Sequence, residues 1–391
     1  MRRLSAQYVI TNAGPVLEKP LITVEDDGTI ISIEDTGGCW KEEPETEYYN
    51  GIIIPGFVNC HCHLELSHMK GSVDRGTGLA HFIELVRDTR TSGTEIVVSS
   101  AISADNDMFR EGIVLCADIC NTSITFGVKK RSRIGYINLL EVFGIDPAKA
   151  SARMDTLTKV AEEAEAEGLR WFMVPHALYS MSLTLLRLLR EKNNENRITS
   201  IHFMETDAEA PFLENLTGSL METYERSGLT TSRQETTQNH AEAILNEITT
   251  NGNLMVVHNT FADSATIREI MKRDNLYWCL CPNSNLYIEN TLPPLGLLRN
   301  EGCVIVTGTD SLASNNRISI IEELKTLQFN FPSIATEELV LWATLNGARA
   351  LGEEDRYGSI EPGKRPGLVL LHDLDITTIK FLPGSYATRL I

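Results

Sequence analysis

The chain has 391 residues, 42% of them hydrophobic, and its 53 acidic and 35 basic side chains leave a formal net charge of −18. That length holds one large domain plus a small one, and the acidic balance argues against nucleic acid or an anionic membrane as partner. No apolar run approaches the roughly 18 residues that span a bilayer, and Asn12-Ala13-Gly14 interrupts the apolar stretch behind Met1-Arg2-Arg3, so no signal peptide is expected.

In chain order, residues 1 to about 50 read as short strands and turns, with Asp26-Asp27-Gly28 as a hairpin signal between Leu21-Ile22-Thr23-Val24 and Ile30-Ile31-Ser32-Ile33. The C-terminus has the same character around Leu368-Val369-Leu370-Leu371. The two ends, 1–54 and 356–391, are therefore expected to pair into one composite small β domain. Between them the pattern becomes strand-then-helix, with candidate strands at 52–60, 113–119, 135–141, 170–175, 199–204, 254–258, 276–281 and 303–308 and amphipathic segments such as 79–90, 147–168, 182–195 and 263–274. Eight strands alternating with helices imply parallel pairing, and the expected fold class is α/β, a (β/α)₈ TIM barrel over 55–355 with the small β domain attached. One polar excursion, 206–240 with a candidate helix at 211–226, reads equally as a lid or as a surface insertion. The cysteines fall mostly in apolar runs and form no Cys-x-x-Cys pair, so buried free thiols in a reducing cytoplasm are expected.

His61 and His63 follow the β-branched run Ile52-Ile53-Ile54, and residues two apart on a strand share a face, where two imidazoles can grip one metal ion. A lone His-x-His pair is a weak signal. It gains weight because His176, His202 and His258 also sit at or just past candidate strand ends and Asp310 ends the last strand, and in a parallel barrel these ends share the face that carries the active site. Three His and a carboxylate suit a borderline divalent ion with a position left for water. Glu205, three residues after His202, is placed to shuttle protons. His68, His81, His240 and His372 lack this placement, although His68 follows the first strand closely enough to reach a substrate.

Several segments in a fixed order carry a resemblance: Pro55-Gly56-Phe57-Val58-Asn59-x-His61-x-His63-Leu64, Pro175-His176-Ala177-x-Tyr179-Ser180-x-Ser182, His202-x-x-Glu205, Val257-His258, Cys281-Pro282-x-Ser284-Asn285, Gly308-Thr309-Asp310 and Gly358-Ser359-Ile360-Glu361-Pro362-Gly363. The chain resembles the amidohydrolase superfamily, in its mononuclear-metal deaminase and chlorohydrolase branch, which includes S-adenosylhomocysteine, guanine and aminodeoxyfutalosine deaminases. His63-Leu64-Glu65-Leu66-Ser67 is most similar to the aminodeoxyfutalosine type. The resemblance implies His61, His63, His202 and Asp310 as ligands of one divalent ion, with Zn²⁺ the first expectation and Fe²⁺ the second. It implies Glu205, His258 and Asp310 as catalytic residues and His176 against the substrate, and Glu65 is added as a substrate-binding candidate. A bridging carboxylated Lys has no matching position, since His176 ends the fourth strand. Arg365-Pro366-Gly367 departs from the acidic pattern usual after the Pro-Gly-Lys turn.

The expected function is hydrolytic deamination of an aminated heteroaromatic ring in a small-molecule substrate of purine-nucleoside type, by a cytoplasmic enzyme that binds neither nucleic acid nor membrane, with self-association into a homo-oligomer left open. The alternatives are hydrolysis of a cyclic amide or a chlorinated ring and, remotely, a non-catalytic metal-binding scaffold. Specificity is expected in residues 64–80, in the neighbourhood of 121–133 and in 206–240; the basic cluster Lys129-Lys130-Arg131-Arg133 reads first as a solvated loop, with contact to an acidic substrate group as the alternative.

Overall fold

The computed structural model describes every residue except 40–43, 194, 230–239 and 249–250. The strands run β1 (Arg2–Val9), β2 (Leu17–Glu18), β3 (Leu21–Val24), β4 (Ile30–Glu34), β5 (Thr46–Pro55), β6 (Phe57–Cys62), β7 (Ile113–Cys120), β8 (Gly135–Val142), β9 (Trp171–Pro175), β10 (Ile198–Phe203), β11 (Asn253–His258), β12 (Leu276–Leu280), β13 (Ile305–Thr307), β14 (Leu368–Asp375) and β15 (Lys380–Arg389). The first five and the last two form a single sheet of order β15-β14-β5-β1-β3-β4, with β2 beside β1. Leu368 to Leu371 pair antiparallel with Pro55 to Ile52. The apolar runs from opposite ends of the chain thus bury each other, with Ile53, Leu4, Ile22 and Leu368 in one cluster.

β6 to β9 and β10 to β13 make two four-stranded parallel sheets. Single parallel bridges, Ala177 with His202 and Cys62 with Asp310, join them at the C-terminal ends of the strands, so the eight strands close into a barrel. Its interior is packed by residues such as Val58, Cys60, Ile137, Val174, Val257 and Val306. The expected strand over 52–60 is two strands. The isoleucine run belongs to β5 of the small sheet, and the barrel begins at Phe57. Gly56 marks the passage. Its N–H reaches the carbonyls of Pro366 and Gly367, and a Cβ there would lie 2.3 Å from Val114 Cγ1 and 2.7 Å from the Pro366 oxygen.

The helices that bear on the site are α1 (Leu79–Thr89), α2 (Thr94–Arg110), α3 (Phe126–Lys129), α4 (Ala150–Ala166), α5 (Leu183–Lys192), α6 (Glu209–Asn215) and α7 (Ser219–Arg226). Ser182 caps α5 by accepting from Leu185 N at 3.2 Å. The single helix expected at 211–226 is two short ones, because Leu216 takes a left-handed conformation, φ 53°, and ends α6. The last part of the 206–240 excursion, residues 230–239, lies outside the described residues. All eight cysteines are free thiols, six of them buried. Among the described residues no helix is long and apolar enough to cross a membrane.

Candidate active site

His61 lies in β6 and His63 just beyond it, both buried. Between Asn59 and Cys62 the pairing of β6 with β7 shifts register, three steps on β6 opposing two on β7. Such a bulge re-aims side chains and is common beside active sites. Across the barrel seam the His61 carbonyl accepts from the backbone N–H groups of Thr309 and Asp310, at 2.9 and 3.0 Å. Gly308 permits this approach, since a Cβ there would stand 2.7 Å from His61 Cβ. The result is that Asp310 Oδ1 lies 3.4 Å from His63 Nε2 and 3.7 Å from His61 Nε2. Asp310 Oδ2 is engaged separately, accepting from Ser284 Oγ and Ser314 Oγ at 2.6 Å each.

His202, near the end of β10, completes the cluster. Ligand atoms of His61, His63 and His202 all lie within 4.8 Å of one another. His202 Nδ1–H donates to the His176 carbonyl at 2.9 Å, which fixes the tautomer and leaves Nε2 as the free lone pair. His258 ends β11 in a left-handed conformation, φ 76°, and Asp310 has φ 56°. Neither is a glycine, and such backbone costs on the order of 1–3 kcal/mol per residue, strain that gathers at functional sites.

Burial sets the charges. It drives His63 down to about 3 against the pull of Asp310, His258 to about 3 and His176 to about 4, and it holds His202 well below the usual histidine range. These are neutral imidazoles at pH 7, the form that ligates metal. Asp310 is pulled the other way. Although burial opposes it, the neighbouring histidines hold its carboxyl well below the usual carboxylate range. Buried nitrogens without hydrogen bonds gather at this point: His61 Nδ1 and both nitrogens of His258. Three imidazoles, a carboxylate and unpaired nitrogens together suit the coordination of a divalent ion.

Glu205 stands two residues past β10, 5% exposed. Its Oε2 accepts from Tyr179 OH at 3.1 Å, and its Oε1 is 3.4 Å from His258 Nε2. Burial, then Asp310 and Glu209, push its carboxyl well above the ordinary range. Its surroundings thus favour the protonated form of the carboxyl. His176 stacks on His202 with ring centroids 4.4 Å apart, and its Nδ1 is 2.7 Å from Ser180 Oγ.

These residues floor a cavity of about 460 Å³ whose outer wall is apolar, built from Leu79, Phe82, Ile83 and Val86 of α1 and by Tyr224 and Leu229 in and after α7. Arg226 of α7 pairs with Glu84 of α1 at 3.0 Å, so the two helices share that wall. The 206–240 excursion thus reaches the cavity. Of the 121–133 stretch only Asn121 does. The basic cluster does not face it: Lys129 is wholly buried against Asp118, Lys130 pairs with Glu167, and Arg133 lies over the Phe109 ring.

Glu65 is placed differently from a substrate contact. It is 4% exposed, is absent from the cavity lining, and its Oε2 accepts from Asn121 N, Thr122 N and Thr122 Oγ1 at 3.1–3.2 Å. Arg90, which does line the cavity, meets its Oε1 at 3.3 Å. His68 turns to brace α1, its ring nitrogens 3.2 and 3.0 Å from the Glu65 and Arg90 carbonyls. Sequence reasoning gave no role to Tyr179, Ser284 or Ser314, although Tyr179 and Ser284 lie in the motif segments quoted above. Glu141, with Oε1 3.8 Å from His202 Nδ1, had no signal beyond its place at a strand end.

A pH effect follows from Glu209, whose carboxylate accepts from Met204 N and Glu205 N. Burial raises it to about 8, above the roughly 4.3 of an unfolded chain. The stability held by its neutral form is therefore complete below the unfolded value and lost as pH rises through about 8. Glu209→Gln keeps a carbonyl acceptor and is expected to flatten the fall in Tm between about pH 4 and 8. Thermal melts across that range check it, and an unaltered fall would count against the assignment.

A parallel barrel with three histidines and an aspartate gathered at its C-terminal face defines a metal-assisted hydrolase. The model of the amidohydrolase family matches residues 52–387, and the chain belongs to that family. It is thus a hydrolase of carbon–nitrogen bonds other than peptide bonds. The adenosine deaminase of Helicobacter pylori is 25% identical over 357 residues, 88% of this chain and 85% of that protein. Among solved structures, H. pylori aminofutalosine deaminase in complex with methylthio-coformycin superposes with a TM-score of 0.78 at 23% identity, covering 98% of this chain and 94% of that one. An adenosine deaminase of Xanthomonas campestris with bound zinc gives 0.69 at 24% identity, covering 97% and 86%. These structural likenesses show the fold.

Proposed function

We propose that the chain is a metal-dependent aminohydrolase that releases ammonia from an aminated heteroaromatic ring, with purine nucleosides of the adenosine or aminofutalosine type as its substrate class. The observation that carries this reading is the buried Glu205 carboxyl, 3.4 Å from His258, standing beside the His61, His63, His202 and Asp310 cluster. The names of the relatives support the substrate class, and the zinc in the Xanthomonas protein supports Zn²⁺ over Fe²⁺.

His61, His63, His202 and Asp310 would hold the ion. When bound, a divalent ion of this kind supplies a nucleophile at neutral pH by lowering the pKa of water towards about 7. The chain's own groups carry the protons. Asp310, its Oδ2 pinned by two serines, offers Oδ1 to the proton of the attacking water, and neutral His258 orients that water from the Glu205 side. Glu205 donates its proton to the ring nitrogen next to the attacked carbon while Tyr179 holds its other oxygen. The carbon becomes tetrahedral, Asp310 passes its proton to the exocyclic amine, the bond to that amine breaks to release ammonia, and the proton of the added hydroxyl passes to Glu205, which restores its acid form and leaves a ring carbonyl. His176, with Nδ1 engaged by Ser180, presents Nε2 to the substrate.

The test is an ammonia-release screen of zinc-loaded protein over adenosine, 5′-deoxy and 5′-thio adenosine derivatives, aminofutalosine, guanine and pterins, with a chlorinated triazine and a cyclic amide as controls. Ammonia from a purine nucleoside, lost on chelation and restored by Zn²⁺, is the expected result. Chloride or a ring-opened acid, without ammonia from any amine, would overturn it.

A further inference from the structure

Against the wall of the metal cluster lies a buried ion pair that the proposed reaction does not use. Asp118 of β7 and Lys129, the last residue of α3, are both 0% exposed at their side chains and paired through Asp118 Oδ2 and Lys129 Nζ. Nζ also donates to Asn138 Oδ1 and to Cys120 Sγ, each at 2.9 Å. Although burial disfavours its charge, the carboxylate beside it holds the Lys129 ammonium above its ordinary range.

The other carboxylate oxygen has a different task. Asp118 Oδ1 accepts from the backbone N–H of Leu64 at 2.7 Å, and Leu64 is the residue after His63. One residue further, Glu65 Oε2 accepts from Asn121 N and Thr122 N at 3.2 Å. The segment leaving His63 is therefore tied to the end of β7 in both directions, backbone donor to side chain and side chain to backbone donors. Regular pairing cannot supply these ties, because the β6–β7 ladder is bulged between Asn59 and Cys62 and β6 ends at Cys62.

A buried ion pair is a poor source of stability, and replacing both partners with apolar residues of similar volume is often neutral. Its presence here calls for another reason. We propose that Asp118 and Lys129 are positioning residues for His63: Asp118 holds the Leu64 N–H, and with it the aim of the His63 imidazole, while Lys129 compensates the carboxylate that a water-free site would otherwise reject. Outer partners of metal ligands act in this way generally. The inference rests on the reading of His63 as a ligand.

The test measures Zn²⁺ affinity by competition with a chromophoric chelator, together with thermal unfolding of the metal-free protein. Asp118→Leu/Lys129→Met removes both charges and the acceptor. It is expected to melt near the wild type yet bind Zn²⁺ about 10–100-fold more weakly. Asp118→Asn/Lys129→Met removes the charges but keeps a carbonyl oxygen for the Leu64 N–H, and should recover most of that loss. An apolar double variant that binds like wild type overturns the proposal, and so does an asparagine variant no tighter than the leucine one. Wild-type protein that takes up no Zn²⁺ overturns the metal reading instead. Should the leucine variant fail to fold, amide exchange in the wild type decides: Leu64 N–H is expected to exchange on the order of 10³-fold or more slower than a free amide, and free-amide exchange overturns the proposal.

Discussion

Glu205→Gln is expected to lower turnover of the true substrate by about 10²–10⁴-fold, the usual worth of a positioned general acid, which is about 3–5 kcal/mol of barrier. Glutamine retains the shape and can still accept from Tyr179 OH, so the cavity floor should survive. What it lacks is a proton of the right acidity. Glu205 is the buried carboxyl whose protonated form burial, Asp310 and Glu209 favour beside the histidines. Zinc content should be unaltered, because Glu205 is outside the three-histidine group. Steady-state ammonia release with metal analysis on the same sample checks this. Turnover within about tenfold of wild type would remove Glu205 from the proton-shuttle role.

Asp310→Asn is expected to cost turnover on the same scale, about 10²–10⁴-fold, and to reduce zinc content as well. The reason lies in the division of labour between its oxygens. Oδ2 accepts from two serine hydroxyls at 2.6 Å, while Oδ1 faces His63 and His61 at 3.4 and 3.7 Å. An amide has one oxygen only. If that oxygen stays with Ser284 and Ser314, the amide N–H groups point at the histidines, where a proton acceptor and metal ligand is required. If it flips, two buried hydroxyls lose their acceptor, each at about 1–3 kcal/mol. Zinc content and turnover measured together check this. Full metal loading with near-normal turnover would exclude Asp310 from both roles.

Much of this site was legible before any coordinates because barrel geometry turns strand-end position into convergence. His61, His63, His202, His258 and Asp310 are far apart in the chain, yet each ends a parallel strand, and parallel strand ends share one face. Glu65 shows the limit of that argument. It lies just past a strand end, but its environment is decided by the loop after β7, whose two backbone N–H groups claim its carboxylate. Lys129 shows the limit more sharply. In Lys129-Lys130-Arg131 it reads as one cation of a solvated run, and only the turn of α3 beneath β7 buries it while leaving Lys130 in solvent. A charge is read as exposed until its partner is known, and that partner, Asp118, lies in an apolar strand.

By itself the sequence determined the strand-then-helix order, the pairing of the two termini and the identity of the residues that could bind metal, since period, turn chemistry and motif spacing are local properties of the chain. The tertiary structure alone decided three things. It split the isoleucine run from the His61 strand at Gly56, because backbone from Pro366 and Gly367 crosses there. It lined the cavity with the half-buried apolar face of α1 and the end of α7. It also engaged Glu65 with the backbone of Asn121 and Thr122 and buried Lys129 against Asp118. Each is a matter of which groups meet across long sequence separations, and the balance of burial, hydrogen bonding and charge at such meetings has no local signature.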